Sequence, residues 1–364
     1  MPTVIDLFCG AGGFSLGARQ AGFEVVASVD VDQKLTSSYK DNFPDAKLFI
    51  SDISTMEIAS LLDNDAAVAS DGIDGIIGGP PCQGFSTIGK RKKSDPRNSL
   101  LRHYFRMVAG IRPKFFVMEN VPGLIAGKAK GTIGRAISSL DGYEIVGPLC
   151  LDAHSFGAPT KRKRIVVIGY DPSRVRSITE TEIETLAGSA NITVRDAIAD
   201  LPEPTENAVA PYRSVKLLSA YAQKARTIPQ DGLGSSASRK RTANGHVDGI
   251  QITRHSPGVV ERFKQVSPGK TDSISRCVRL NWDSAAPTLR AGTGPDKGSF
   301  QSVRPVHPVR PRVITVREAA RLQGFPDWFE FHETKWHSFR MIGNSVSPIM
   351  AEVLLKFIAQ KLKS

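Results

Sequence analysis

Residues 3–22, TVIDLFCGAGGFSLGARQAG, decide how this chain folds. TVIDLF (3–8) reads as a buried strand, and GGFSLGARQAG (12–22) as a glycine turn opening a helix that Gly22 ends. The same alternation continues outward. EVVASVD (24–30), AKLFI (46–50), IDGIIGG (73–79), KFFVMEN (114–120) and RIVVIGY (164–170) read as strands. QKLTSSYKDNF (33–43), TMEIASLLD (55–63) and SLLRHYFRMVAGI (99–111) read as helices. Strands alternating with helices predict an α/β fold with a Rossmann-like, mostly parallel sheet, whose ligands sit at the carboxyl ends of its strands.

The glycine turn then becomes the first candidate site. Its glycines allow a tight turn and close backbone approach to a ligand. Asp30, at the end of the second strand, lies twenty residues after Gly10, where an acid would hold ribose hydroxyls. Asp52 follows the third strand and suits an adenine amine. A nicotinamide or flavin dehydrogenase is disfavoured, because Ser15 stands where G-x-G-x-x-G needs its third glycine. The plainer alternative is glycines for packing alone.

The second candidate site is GGPPCQGFS (78–86). Pro80 and Pro81 fix the backbone before Cys82, so the thiol is held at a strand end. The polar, basic loop 83–99 that follows is long for a βαβ connection and reads as a lid. Glu119 ends the next strand, beside Cys82. A carboxylate disfavours a neighbouring thiolate, so Glu119 reads as a group that hydrogen-bonds or protonates a substrate. In TKRKR (160–164), alternation puts Arg162 and Arg164 on one face and Lys161 and Lys163 on the other.

The 364 residues include 48 Lys and Arg against 36 Asp and Glu, a net charge of +12 and a pI near 9.6. That excess points to a polyanionic partner, nucleic acid ahead of membrane. Cys9, Cys82, Cys150 and Cys277 form no CxxC pair, which argues against a disulfide framework or a metal site and fits a reducing cytoplasm. The start lacks a signal-peptide pattern, and no long apolar run predicts a membrane span.

After about residue 172 the alternation breaks. Residues 200–310 are rich in Pro, Gly, Ser, Arg and Lys, as in QDGLGSSASRKRTANGH (230–246), and predict a second, smaller, irregular β-rich domain. TVREAARLQGF (315–325) reads as a helix whose Thr315 and Glu318 form a capping box, and SPIMAEVLLKFIAQKLK (347–363) as a final amphipathic helix.

The ordered set DLFCGAGGFS (6–15), Asp30, SDI (51–53), GGPPCQGFS, MENV (118–121), KRKRIVVIG (161–169), VREAARLQGFP (316–326) and IGNSVSP (342–348) resembles the cytosine-5 DNA methyltransferases. The resemblance spans nearly the whole chain. It implies a class I methyltransferase fold, S-adenosylmethionine as methyl donor, double-stranded DNA as substrate and a cytosine flipped out of the duplex. It implies that Cys82 is the nucleophile, that Glu119 holds the ring nitrogen and amine, and that Arg164 holds the carbonyl oxygen, assisted by Arg162. For the cofactor it implies Phe8 against adenine, Gly10, Ala11 and Gly12 along the methionine part, Asp30 on the ribose and Asp52 on the adenine amine. Asp6, Pro80, Leu100, Asn344 and Ser345 complete that pocket. Val31 departs from the aromatic that relatives often carry after the ribose acid, and Lys163 from their Glu.

On this reading residues 1–185 are a catalytic and cofactor-binding domain, 186–334 a target recognition domain, and 335–364 a segment returning to the first. The enzyme would act as a cytoplasmic monomer, paired with a restriction endonuclease that acts on the same site. A relative acting on transfer RNA is the alternative. The stretch of about 120 residues between the motif blocks favours DNA.

Overall fold

The computed structural model describes residues 1–62, 72–81, 100–126, 131–138, 140–188, 191–292 and 304–363. Cys82 and the loop 83–99 therefore lie outside the described residues. The first half supplies strands β1 (Thr3–Leu7), β2 (Glu24–Asp30), β3 (Leu48–Ile50), β4 (Gly75–Gly78) and β5 (Phe115–Asn120). Helices α1 (Gly13–Gln20), α2 (Tyr39–Asn42), α3 (Ala59–Leu62), α4 (Leu100–Ile111) and α5 (Thr132–Ile137) accompany them. Next come β6 (Glu144–Asp152), β7 (Thr160–Lys161) and β8 (Lys163–Tyr170).

Seven strands form one sheet in the order β3-β2-β1-β4-β5-β8-β6. The first five are parallel, and β8 runs antiparallel between β5 and β6. Period-two alternation splits each strand between two apolar layers. Val4, Phe115 and Val117 face one, while Ile5, Leu7, Phe116 and Met118 face the other. Strand order reverses at the β1/β4 pair, so the crevice for ligand opens where the glycine turn and the Gly79–Pro81 turn meet.

The remaining elements are α6 (Glu180–Thr185), α7 (Val194–Ile198), β9 (Ala210–Pro211), α8 (Ala220–Ala225), α9 (Ser236–Ala243), β10 (His246–Val247), α10 (Pro257–Gln265), β11 (Ala286–Pro287), α11 (Val316–Gln323), α12 (Lys335–Asn344) and α13 (Pro348–Lys361). β9 pairs with β10, and β11 with β7, as two small sheets. The capping box at α11 is present: Thr315 Oγ1 accepts from Glu318 N, and Glu318 Oε2 accepts from Thr315 N. Helix α13 lies directly on α1, where a methyl at Gly17 would strike Ala351 and the backbone of Glu352. The stretch Lys335–Lys361 has the length and hydropathy of a membrane span. It is broken after Asn344, and much of it is packed in the core.

Two helix expectations need correction. Only Tyr39–Asn42 of 33–43 is helical, because the Asp32 carboxylate accepts from Lys34 and Leu35 N–H and holds the chain in a turn. Within 55–63 the described helix is limited to Ala59–Leu62.

Candidate active site

The glycine turn leaves β1 with Phe8 at φ 63°, Gly10 at 52° and Gly12 at 90°. The left-handed region is cheap for the two glycines and strained for Phe8. Gly10 N–H donates to Asp30 Oδ2 at 2.9 Å, and Asp32 N–H donates to Asp30 Oδ1 at 2.8 Å. The carboxylate is thus fixed against the turn. Burial pushes its pKa up, and these two N–H groups pull it back. Among the described residues the space around Gly10 is open, since a methyl there would meet just Asp30 Oδ2, at 4.0 Å. Gly12 differs: a methyl there would strike Phe43 and Tyr39. The packing reading therefore holds for Gly12 on that side, while Gly10 faces space.

Asp6 is 1% exposed. Ser15 Oγ donates to its Oδ2 at 2.5 Å, while its buried Oδ1 has no partner among the described residues. Burial raises its pKa to about 7. Asp52 is exposed and accepts from Ser54 N–H, which with the Ser54 side chain holds its carboxyl low. His103 of α4 adds to that pull, so Asp52 lies near the helix that Leu100 begins.

The end of β5 meets the Gly79–Pro80 turn. Asn120 Nδ2 donates to Pro80 O at 2.8 Å, and a methyl at Gly79 would sit 3.3 Å from Glu119 Oε2. Glu119 is 8% exposed, and Arg164 Nε stands 2.8 Å from its Oε1. The structure therefore brings this acid and this guanidinium together beside the turn that leads into Cys82.

Arg162 goes elsewhere. The strand breaks between β7 and β8 at this residue, so simple alternation does not run through it. Its guanidinium is fully buried and donates to Leu289 O at 3.1 Å, Gly343 O at 2.9 Å and Ser345 O at 2.8 Å. It clasps the second region and the end of α12 to the catalytic strands. Ser345 O also accepts from buried Gln323 Nε2 at 2.9 Å. Asn344 is exposed beside it. Ser345 and Val346 press on the start of α1, where a methyl at Gly13 would strike them, and Val346 also lies 4.0 Å from the Cβ position of Gly79. Reading by sequence missed Gln323 and the Arg340–Asp32 ion pair at 2.6 Å, which ties α12 to the Asp30 turn. Gln323 lay inside the quoted ARLQGFP run; Arg340 carried no local signal.

A glycine turn at the switch point, an acid on the next strand and a clamped carboxylate at the end of β5 are features of an α/β enzyme. The profile of the C-5 cytosine-specific DNA methylases matches residues 2–360, and the chain belongs to that family. It is 40% identical to the Type II methyltransferase M.XorII of Xanthomonas oryzae over 97% of this chain and 83% of that one. It is 32% identical to M.DdeI of Desulfomicrobium norvegicum over 98% and 88%. A crystal structure of a putative DNA modification methyltransferase encoded within an E. coli prophage superposes with a TM-score of 0.86 at 39% identity, covering 99% of each chain. The Schizosaccharomyces pombe Dnmt2 structure, at 16% identity and a TM-score of 0.62 over 99% of this chain and 98% of that one, shares the fold.

Proposed function

We propose that this DNA cytosine-5 methyltransferase uses S-adenosylmethionine and a covalent Cys82 adduct to methylate a flipped-out cytosine in a short duplex sequence. The observation that carries the reading is the Glu119–Arg164 pair beside the Gly79–Pro80 turn, across the switch point from the glycine turn.

The residues at the β1 end fit the cofactor. Open space at Gly10, the fixed Asp30 carboxylate and the unpartnered Asp6 Oδ1 suit a polar ligand carrying ribose and an ammonium group. Phe8, Gly10, Ala11, Gly12, Asp30, Asp52, Pro80, Leu100, Asn344 and Ser345 would hold it, with Asp6 beneath. When bound it supplies a methyl group made electrophilic by a sulfonium.

Carbon 5 of cytosine is a poor nucleophile. The Cys82 sulfur adds to carbon 6, and the ring becomes enamine-like and nucleophilic at carbon 5. Glu119 holds the ring nitrogen and exocyclic amine, so the charge developing there is met by a placed group. Arg164 orients Glu119 and reaches the carbonyl oxygen. Arg162, whose outer nitrogens are spent on three carbonyls, acts by positioning. Loss of the carbon-5 proton and expulsion of Cys82 restore the aromatic ring.

The names of the relatives support a Type II modification role beside an endonuclease of the same target. Residues 186–334 would read that target, with the enzyme working as a monomer. Duplex carrying 5-fluorocytosine should trap the native protein covalently and leave Cys82→Ala free, while both bind S-adenosylmethionine. Normal methylation by Cys82→Ala would end the covalent reading. Bisulfite sequencing of DNA from expressing cells would give the target.

A further inference from the structure

The buried arginines of the second region are mostly spent on carbonyls and carboxylates. Arg279 donates to four carbonyls, and Arg321 to Asp200, Asp327 and Ala197 O. Arg304 is different. Its guanidinium lies over the Phe339 ring at 4.5 Å with Nε packed out of water, and its outer nitrogens meet no acceptor among the described residues. Among the described residues its charged and titratable neighbours are Cys277, Lys335 and His255, none of them an acid.

Lys335 and Phe339 are one turn apart, so Arg304 and the Lys335 ammonium share one face of α12. Lys335 Nζ donates to Ile252 O at 2.6 Å and keeps two protons unspent. Glu206, an acid whose charge acts on Lys335, is paired with Arg254 at 2.9 Å. Helix α12 begins at Lys335, and Thr334 gives it no side-chain cap. Its first N–H groups and its positive dipole end therefore lie beside Lys335.

We propose that Arg304, Lys335 and the first turn of α12 seat one backbone phosphate of the DNA substrate. A guanidinium whose outer nitrogens meet no acceptor among the described residues, an ammonium with protons to spare and a helix N-terminus with no side-chain cap match the several oxygens of a phosphate. The proposal rests on DNA being the substrate. It also has a place in the cleft. The other end of α12 carries Asn344 and Ser345 in the candidate active site, and ten residues of helix span about 15 Å.

The test uses the full chain and a target duplex in anisotropy titrations over a salt series. Arg304→Gln should lower the slope of log K against log salt by about one, equally on target and unrelated duplex. The bisulfite pattern and S-adenosylmethionine affinity should stay the same, and Arg304→Lys should recover most of the slope. A scan of single neutral methylphosphonates should find one phosphate whose loss weakens the native protein but not Arg304→Gln. An unchanged slope overturns the proposal, as does relaxed specificity at one base position, which would make Arg304 a base reader. If Arg304→Gln does not fold, Lys335→Gln run through the same scan decides. Absence of DNA binding by the native protein would instead count against the DNA reading itself.

Discussion

The sheet half and the second region bury polar groups for different ends. In the sheet half, Asp30 stands at the carboxyl end of β2, and Glu119 at that of β5 meets Arg164 at the start of β8. In residues 186–334, buried arginines act as staples. Arg321 is wholly buried between Asp200 and Asp327, Arg317 donates to carbonyls of Pro326 and Phe329, and Arg312 pairs with Glu318. The sheet is held by two continuous apolar layers and can spare its polar groups for chemistry. Among its described residues the second region has no large sheet of its own. Its apolar cluster runs on into Cys9, Leu16, Tyr39 and Phe43 of the first half, and guanidinium groups satisfy the carbonyls of its irregular backbone.

That contrast can be broken by experiment. The largest effect belongs to Glu119→Gln, which should cut kcat on duplex DNA by about 10² to 10⁴ while cofactor affinity persists. Steady-state and binding assays read both, and a variant with near-native kcat would remove the acid from the chemistry. Arg321→Met should cost stability, by about 3–5 kcal/mol, because buried Asp200 and Asp327 each lose a charged partner, leaving them Arg226 and the Tyr212 hydroxyl. Urea unfolding measures it. A loss below 1 kcal/mol would mean that the staple reading is wrong.

A sharper test sits at Asp6, where the sheet half holds a polar group at a stability cost. Its pKa rises from 3.8 to about 7 on burial. Between those values the folded chain keeps a proton that the unfolded chain has lost. Stability should therefore fall as pH rises from about 4 to 7, by at most about 1.4 kcal/mol per unit, and Asp6→Asn should remove that fall. Parallel slopes for the two proteins would show that Asp6 ionises normally. The smallest effect is Thr315→Ala, which loses one capping-box acceptor and should cost about 1 kcal/mol in the same unfolding assay.

Much of the site was legible because it is local. The strand–turn–helix at 3–22, the Asp30 spacing and the Thr315–Glu318 box depend on contacts within a few residues or one βαβ unit. The helix expected over 33–43 failed because Asp32 offered the backbone a competing turn. Strand β6 went unread since Gly147 and Pro148 interrupt EIVGPLCLD, where the pairing shifts register. Short helices such as α8, α9 and α10 hid in a composition that reads as loop.

By itself the sequence determined the first five strands, the glycine turn and the acids at strand ends, all consequences of apolar period and backbone freedom. Only the tertiary structure decided that β8 slides antiparallel between β5 and β6, that Arg164 turns to Glu119, and that Arg162, two residues away, turns instead to Leu289, Gly343 and Ser345. Those partners lie 45 to 183 residues off in the chain. A guanidinium takes whichever unsatisfied acceptors the packing brings to it, and no local pattern records which those are.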